Sequence, residues 1–173
     1  MYMIAKQMTS SKQHHETNSK WIFWAHMPHD TNWNLESYKK IISISKLEDL
    51  FDLYKITPDI LIQNCMLFIM KDNIKPIWED PSNRKGGCFS YKILNKEVPE
   101  IWKKLSFGLI GESVSNNNEF VETINGITIS PKKNFCIIKV WVKTCKFQDP
   151  SLILDLFGLP KVGCLFRQHN PEF

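Results

Sequence analysis

Arginine is almost missing from this chain. Of 22 basic side chains only Arg84 and Arg167 carry a guanidinium, and lysine supplies the rest of a formal net charge of +4. Planar two-pronged phosphate contacts are therefore scarce, because lysine cannot make them. So mild a charge is compatible with a phosphate-bearing ligand and does not demand one. Paired cysteines are missing too. Cys65, Cys88, Cys136, Cys145 and Cys164 are odd in number and scattered, with no C-x-x-C spacing. That argues against a zinc site, and no metal or cofactor is expected. The thiols read as free, in a reducing compartment, so the expected location is the cytoplasm. The N-terminus has no apolar secretory core, and no apolar run approaches membrane-spanning length, so no membrane partner is expected. No glycine-rich phosphate loop follows a strand, and no repeat recurs.

What remains describes one soluble domain. At 173 residues the chain can bury a core large enough to fold without staples. Its Ile and Asn richness suggests an AT-rich genome. Residues 1–19 are polar and without periodicity, and read as a flexible tail before a single domain over 20–173. Strands are expected at Lys20–Ala25, Tyr38–Ser45, Cys65–Lys71, Cys88–Leu94, Phe120–Ile124, Gly126–Ser130, Phe135–Thr144 and near Val162–Phe166. Ser45-Lys46-Leu47-Glu48 has the form of a capping box. Leu47, Leu50, Phe51 and Tyr54 then recur at helical spacing, and the helix ends before Pro58. Pro99–Ile110 reads as a second helix with Ile101, Trp102, Leu105 and Leu109 on its apolar face, stopped by Gly111. A short helix is expected over Leu152–Phe157, after an Asp149-Pro150 cap and before Gly158. Strands separated by helices at irregular intervals indicate an α+β fold.

Six tryptophans divide into two groups. Trp21, Trp24 and Trp102 lie in apolar periodic runs and read as core, the commonest fate of an indole. Trp33, Trp78 and Trp141 have polar neighbours, and Trp78 is followed directly by Glu79 and Asp80. Two indoles can clamp a flat cationic ring, each stack contributing roughly 1–3 kcal/mol and the cation about 0.5–2 kcal/mol more. A carboxylate beside the clamp can accept two N–H donors from the ring's edge, at about 1.5–3 kcal/mol net for a bond to a charged group. A 7-methylguanine base carries both the charge and the donors. In the strand 135–144, Cys136, Ile138 and Val140 share one face, while Ile137, Lys139 and Trp141 share the other. An indole and an ammonium thus stand side by side away from the core.

Ordered pieces carry a resemblance: KWIFWAH, NWNLESYKKI, KLEDLFDLY, KDNIKPIWEDPSNRKGG, IWKKLSFGLIGES, IKVWVK and GLPK. In this order and spacing, from about Lys20 to Phe166, the chain resembles the eukaryotic translation initiation factor 4E family of mRNA cap-binding proteins. The resemblance implies a curved antiparallel sheet of about eight strands, shaped like a cupped hand, with three helices on the convex face. It implies that the cap base stacks between Trp33 and Trp78, that Glu79 and the Trp78 backbone N–H read the guanine edge, and that Trp141 touches the methyl group. It implies no catalytic machinery. The family's phosphate contacts are arginines and lysines. Here one such position, just after the glycine pair, is Cys88, and Lys132 and Lys133 on a turn, with Lys139, remain as the expected phosphate ligands. A scaffold protein of the initiation factor 4G type, or a dedicated equivalent, is expected on the helical back at Leu47, Phe51, Phe107 and Ile110. Lys104 reverses the acidic charge expected beside that groove. The protein is expected to be a monomer. Three rivals stand beside this reading: an enzyme using the His26-x-x-His29-Asp30 cluster, a general single-strand RNA binder, and a cap-binding repressor that recruits no scaffold.

Overall fold

The computed structural model describes residues 14–170. Seven antiparallel strands form one sheet in the order β2-β1-β3-β5-β6-β4-β7. They are β1 (Glu16–His26), β2 (Tyr38–Lys46), β3 (Met66–Lys71), β4 (Gly87–Leu94), β5 (Ile124–Pro131), β6 (Phe135–Val142) and β7 (Leu165–Gln168). The helices are α1 (Leu47–Ile56), α2 (Asp59–Asn64), α3 (Val98–Ile110) and α4 (Asn118–Thr123). Among the described residues no helix is long and apolar enough to cross a membrane.

Both faces of the sheet carry apolar side chains, because successive residues of a strand point to opposite sides. Trp21, Phe23, Leu67, Ile69, Phe89, Tyr91, Ile138 and Val140 go to the large cluster that also takes Leu50 and Leu53 of α1 and Trp102, Leu105 and Leu109 of α3. Phe68, Met70, Cys88 and Trp141 go to a smaller cluster on the other face, with Trp24, Tyr38 and Met66 packed against it. Irregularities at Phe23/Trp24 and Ile124/Gly126 break the register of β1–β2 and β5–β6. Such bulges bend the strands and increase their twist, which cups the sheet. The Tyr54 hydroxyl of α1 donates to Ser106 Oγ at 2.7 Å, and that hydroxyl donates to the Trp102 carbonyl within α3. Burial raises the Tyr54 pKa, so the phenol remains a donor.

Several expectations shift. The eighth strand, Phe120–Ile124, is instead α4, because Asn117 Oδ1 accepts the Phe120 N–H and caps a helix there. Its β-branched composition pointed the other way. α2 was not expected; Pro58 stops α1 and also starts α2. The N-terminal box of α1 is closed by Asp49, whose carboxylate accepts the Ser45 and Lys46 N–H groups, while Glu48 binds His15 instead. Leu152–Phe157 divides into two 3₁₀ turns around the buried Ile153, and Gly158 ends them at φ 73°. β7, Leu165–Gln168, starts three residues and ends two residues later than expected. β1 begins at Glu16, inside the segment assigned to the tail; residues 1–13 lie outside the described residues. Trp24 packs on the concave face rather than in the main core.

The order of strands explains one long loop. β3 and β4 are consecutive in the chain but separated in the sheet by β5 and β6. At about 4.8 Å per strand, residues 72–86 must cross about 14 Å over the sheet's end. Trp78 rides on that crossing.

A candidate ligand clamp on the concave face

Two loops and the floor of the sheet build a hollow of about 410 Å³, lined by Trp33, Tyr38, Trp78, Glu79, Lys139 and Trp141 among others. The first wall comes from the loop between β1 and β2. Asp30 Oδ1 accepts the Asn32 N–H and Asn32 Oδ1 accepts the Asn34 N–H, two successive Asx turns, and His29 takes a left-handed φ of 71°. His26 Nε2 donates to the Asn32 carbonyl at 2.8 Å. Its ring lies flat under Trp33, centroids 4.2 Å apart and planes within 3°.

The second wall is the crossing loop, held by its own polar side chains. Asp80 accepts the Lys75 N–H at 3.0 Å and the Ser82 N–H at 2.9 Å. Asn83, fully buried, donates to the Lys75 and Ile77 carbonyls and accepts from Asn125. Arg84 donates to the Glu79 carbonyl. At Gly86 a Cβ would sit 1.8 Å from the Val142 carbonyl oxygen, so the loop can return to the sheet only as glycine. His169 Nδ1 donates to the Asn83 carbonyl at 2.8 Å, and its ring stacks beside Trp78 at 5.4 Å. Each wall indole is thus backed by a histidine ring and borders the hollow.

The floor is Trp141 on β6, buried, with Thr128 of β5 beside it. Trp141 Nε1 and Thr128 Oγ1 have no protein hydrogen-bond partner among the described residues. Buried polar atoms are rarely left this way. Lys139 lies on the Trp141 face as the strand alternation requires, with Nζ 6.0 Å from the Trp78 ring centre. Burial raises the Tyr38 pKa, and the charge of Glu79, which lines the same hollow, raises it further. Burial lowers the His169 pKa, and the Lys139 charge adds to the effect, so the imidazole is neutral at pH 7.

The structure brings Trp33, Trp78, Glu79, Trp141 and Lys139 to one hollow. Lys132 and Lys133 are exposed on the β5–β6 turn and are not among the residues lining it. Tyr38, Thr128 and His169 also belong to this region and were not anticipated. Tyr38 opens β2, whose register alone decides its face, and His169 lies in the C-terminal tail of the chain. On the helical side Phe51 is 55% exposed and its ring lies 4.6 Å from Phe107. Leu47 and Phe107 are half-buried. Ile110, expected in the groove, is 1% exposed and belongs to the core, because it continues the Trp102/Leu109 face of α3. Lys104 pairs with Glu100 one turn earlier at 2.7 Å. Among the described residues no group of three or more His, Cys, Asp or Glu is placed to hold a metal. His26 is already committed to a carbonyl and a stack.

A cupped antiparallel sheet, helices on its back and an aromatic hollow in its palm define an α+β binding fold. The family model for eukaryotic initiation factor 4E matches residues 16–156, and the chain belongs to that family. It is 26% identical over 141 residues to the initiation factor 4E of Candida albicans, covering 76% of this chain and 66% of that one. The Dictyostelium discoideum factor is 28% identical over 82% of this chain and 57% of its own length. A homologue from Acanthamoeba polyphaga mimivirus is 30% identical over 60% of this chain. The chain therefore spans about two thirds or less of these relatives. In fold it matches Caenorhabditis elegans eIF4E-3, solved with the 4E-binding protein Mextli and a cap analog, at a TM-score of 0.78 and 19% identity over 91% of this chain and 94% of that one. It matches Ascaris suum eIF4E-3, solved with an m7G cap, at 0.77 and 21% over 92% and 94%.

Proposed function

We propose that this chain binds the 7-methylguanosine cap of mRNA in translation initiation. The observation that carries this reading is the hollow in which two exposed indoles, Trp33 and Trp78, stand with the Glu79 carboxylate and the buried Trp141. The base stacks between the two wall indoles, Glu79 accepts its two edge N–H donors, the Trp78 N–H reaches the guanine carbonyl, and Trp141 meets the methyl group. Methylation makes the ring cationic and so strengthens both stacks and carboxylate bonds. Of the three lysines expected to meet phosphate, the lining of the hollow favours Lys139 over Lys132 and Lys133. The role is binding and not catalysis: Asp80 is occupied by two backbone N–H groups, which leaves no pair of acids to exchange a proton. Tryptophan fluorescence titration with 7-methyl-GTP and GTP tests the reading; far tighter binding of the methylated nucleotide is expected, and equal affinities would refute it.

On the opposite face, Leu47, Phe51 and Phe107 offer an apolar groove for an amphipathic helix of a scaffold protein of the initiation factor 4G type or a dedicated equivalent. Lys104 stands beside it and selects against basic partners.

A further inference from the structure

Beside the indole hollow lies a second cavity of about 250 Å³, lined by Trp78, Cys88, Ser90, Lys139, Arg167 and His169 among others. The two cavities share Trp78 and Lys139, so they adjoin. Among the described residues no carboxylate lines the second cavity. Among the described residues neither Lys139 nor Arg167 makes an ion pair with an acid. His169, its pKa lowered by burial, adds no charge at pH 7, so among the described lining residues Lys139 and Arg167 set the charge of the space.

Sheet register fixes where these cations stand. Trp141 on β6 pairs with Cys88 on β4, and Cys88 pairs with Arg167 on β7. The three side chains form one row on the concave face, with Arg167 about 10 Å across from the floor indole. Lys139 lies in the next row, paired with Ser90. Between the cations the row offers Cys88, a small side chain whose thiol burial keeps protonated. Arg84, the other guanidinium of the chain, is turned to the Glu79 carbonyl. An anionic chain attached to a base over Trp141 would therefore run past Lys139 and meet Arg167, whose planar fork matches a phosphate's oxygens.

We propose that Arg167, together with Lys139, holds the phosphate chain of the bound ligand, a purine nucleoside 5′-triphosphate or the equivalent end of an RNA, and that Lys132 and Lys133 do not. The proposal rests on the cap-binding reading for the position of the base. The test measures 7-methyl-GTP and uncharged 7-methylguanosine against the unmodified protein, R167Q and the K132Q/K133Q double variant. R167Q is expected to weaken 7-methyl-GTP roughly tenfold and to leave 7-methylguanosine unchanged. It should also lower the salt dependence of triphosphate binding by about one charge. The double variant should leave both ligands within about twofold. If R167Q leaves the ratio of the two affinities unchanged, or if the double variant lowers it instead, Arg167 is not a phosphate ligand. Failure of the base reading would look different: 7-methylguanosine would bind the unmodified protein no better than guanosine, while R167Q would still report on GTP.

Discussion

Asp80 is 6% exposed and accepts from two backbone N–H groups, while Glu79, its neighbour, is exposed at the mouth of the hollow. Truncating Asp80 orphans two donors inside the crossing loop, which costs about 1–3 kcal/mol of stability. Truncating Glu79 orphans nothing in the free protein. Asp80→Ala is therefore expected to lower the thermal midpoint, and Glu79→Ala to leave the midpoint alone while costing more affinity for 7-methyl-GTP than Asp80→Ala does. Thermal denaturation and fluorescence titration on both variants read the two effects separately; the reverse ranking in affinity would mean the carboxylates are wrongly assigned. His169 gives a second residue-level outcome. Its folded pKa is below the ordinary 6.5 because the ring is buried and Lys139 is close. The unfolded chain then takes up a proton that the folded chain refuses, so this contribution to stability is complete above about pH 6.5 and is lost as pH falls below it. Urea unfolding at pH 7.5 and 5.5 should show a smaller acid loss for His169→Asn than for the unmodified protein, and an identical loss would contradict it.

Elements differ in how much of them the chain disclosed. The alternation of β6 was readable because a strand's period is fixed at two residues, and it put Lys139 and Trp141 on the site's face. The run Trp78-Glu79-Asp80 was readable because an indole next to two acids is unusual in a core. Arg167 and His169 were not: they belong to a four-residue edge strand and its exit, and their place depends on register with β4. α4 was misread because Val, Thr and Ile outweighed one asparagine cap. Ile110 was misplaced because helical spacing names a face and does not say how far that face is covered. The same limit bears on the groove between α1 and α3. Lys104 is exposed there and partly neutralised by Glu100. A Tyr-x-x-x-x-Leu peptide with basic flanks is expected to bind weakly, and Lys104→Glu to improve it by roughly 0.5–1 kcal/mol. Calorimetry of that peptide against both proteins decides the matter; tight binding without dependence on Lys104 would mean that the groove lies elsewhere.

As a whole molecule, the protein divides its tryptophans between a helix-backed core and an open palm. Trp21 and Trp102 are buried, while Trp33 and Trp78 face solvent. A ligand that fills the palm touches the β1–β2 loop, the crossing loop and the sheet floor at once, so only the folded chain can hold it. Linkage then predicts stabilisation by about 2.7 kcal/mol at a ligand concentration one hundred times the dissociation constant. Differential scanning fluorimetry should show a clear rise in midpoint with 7-methyl-GTP and a much smaller one with GTP at equal concentration. Equal shifts would show that the triphosphate alone is recognised.

The histidine rings behind Trp33 and Trp78 carry a kinetic consequence. Each indole already has a flat partner, at 4.2 Å for Trp33 and 5.4 Å for Trp78, so neither gains by collapsing into the empty palm. A clamp held open in this way is already arranged for a ligand before one arrives. Association should therefore proceed in one step, with a rate that grows linearly with ligand concentration and reaches no plateau over the accessible range. Removing the support with His26→Ala should introduce a slow opening phase in stopped-flow traces.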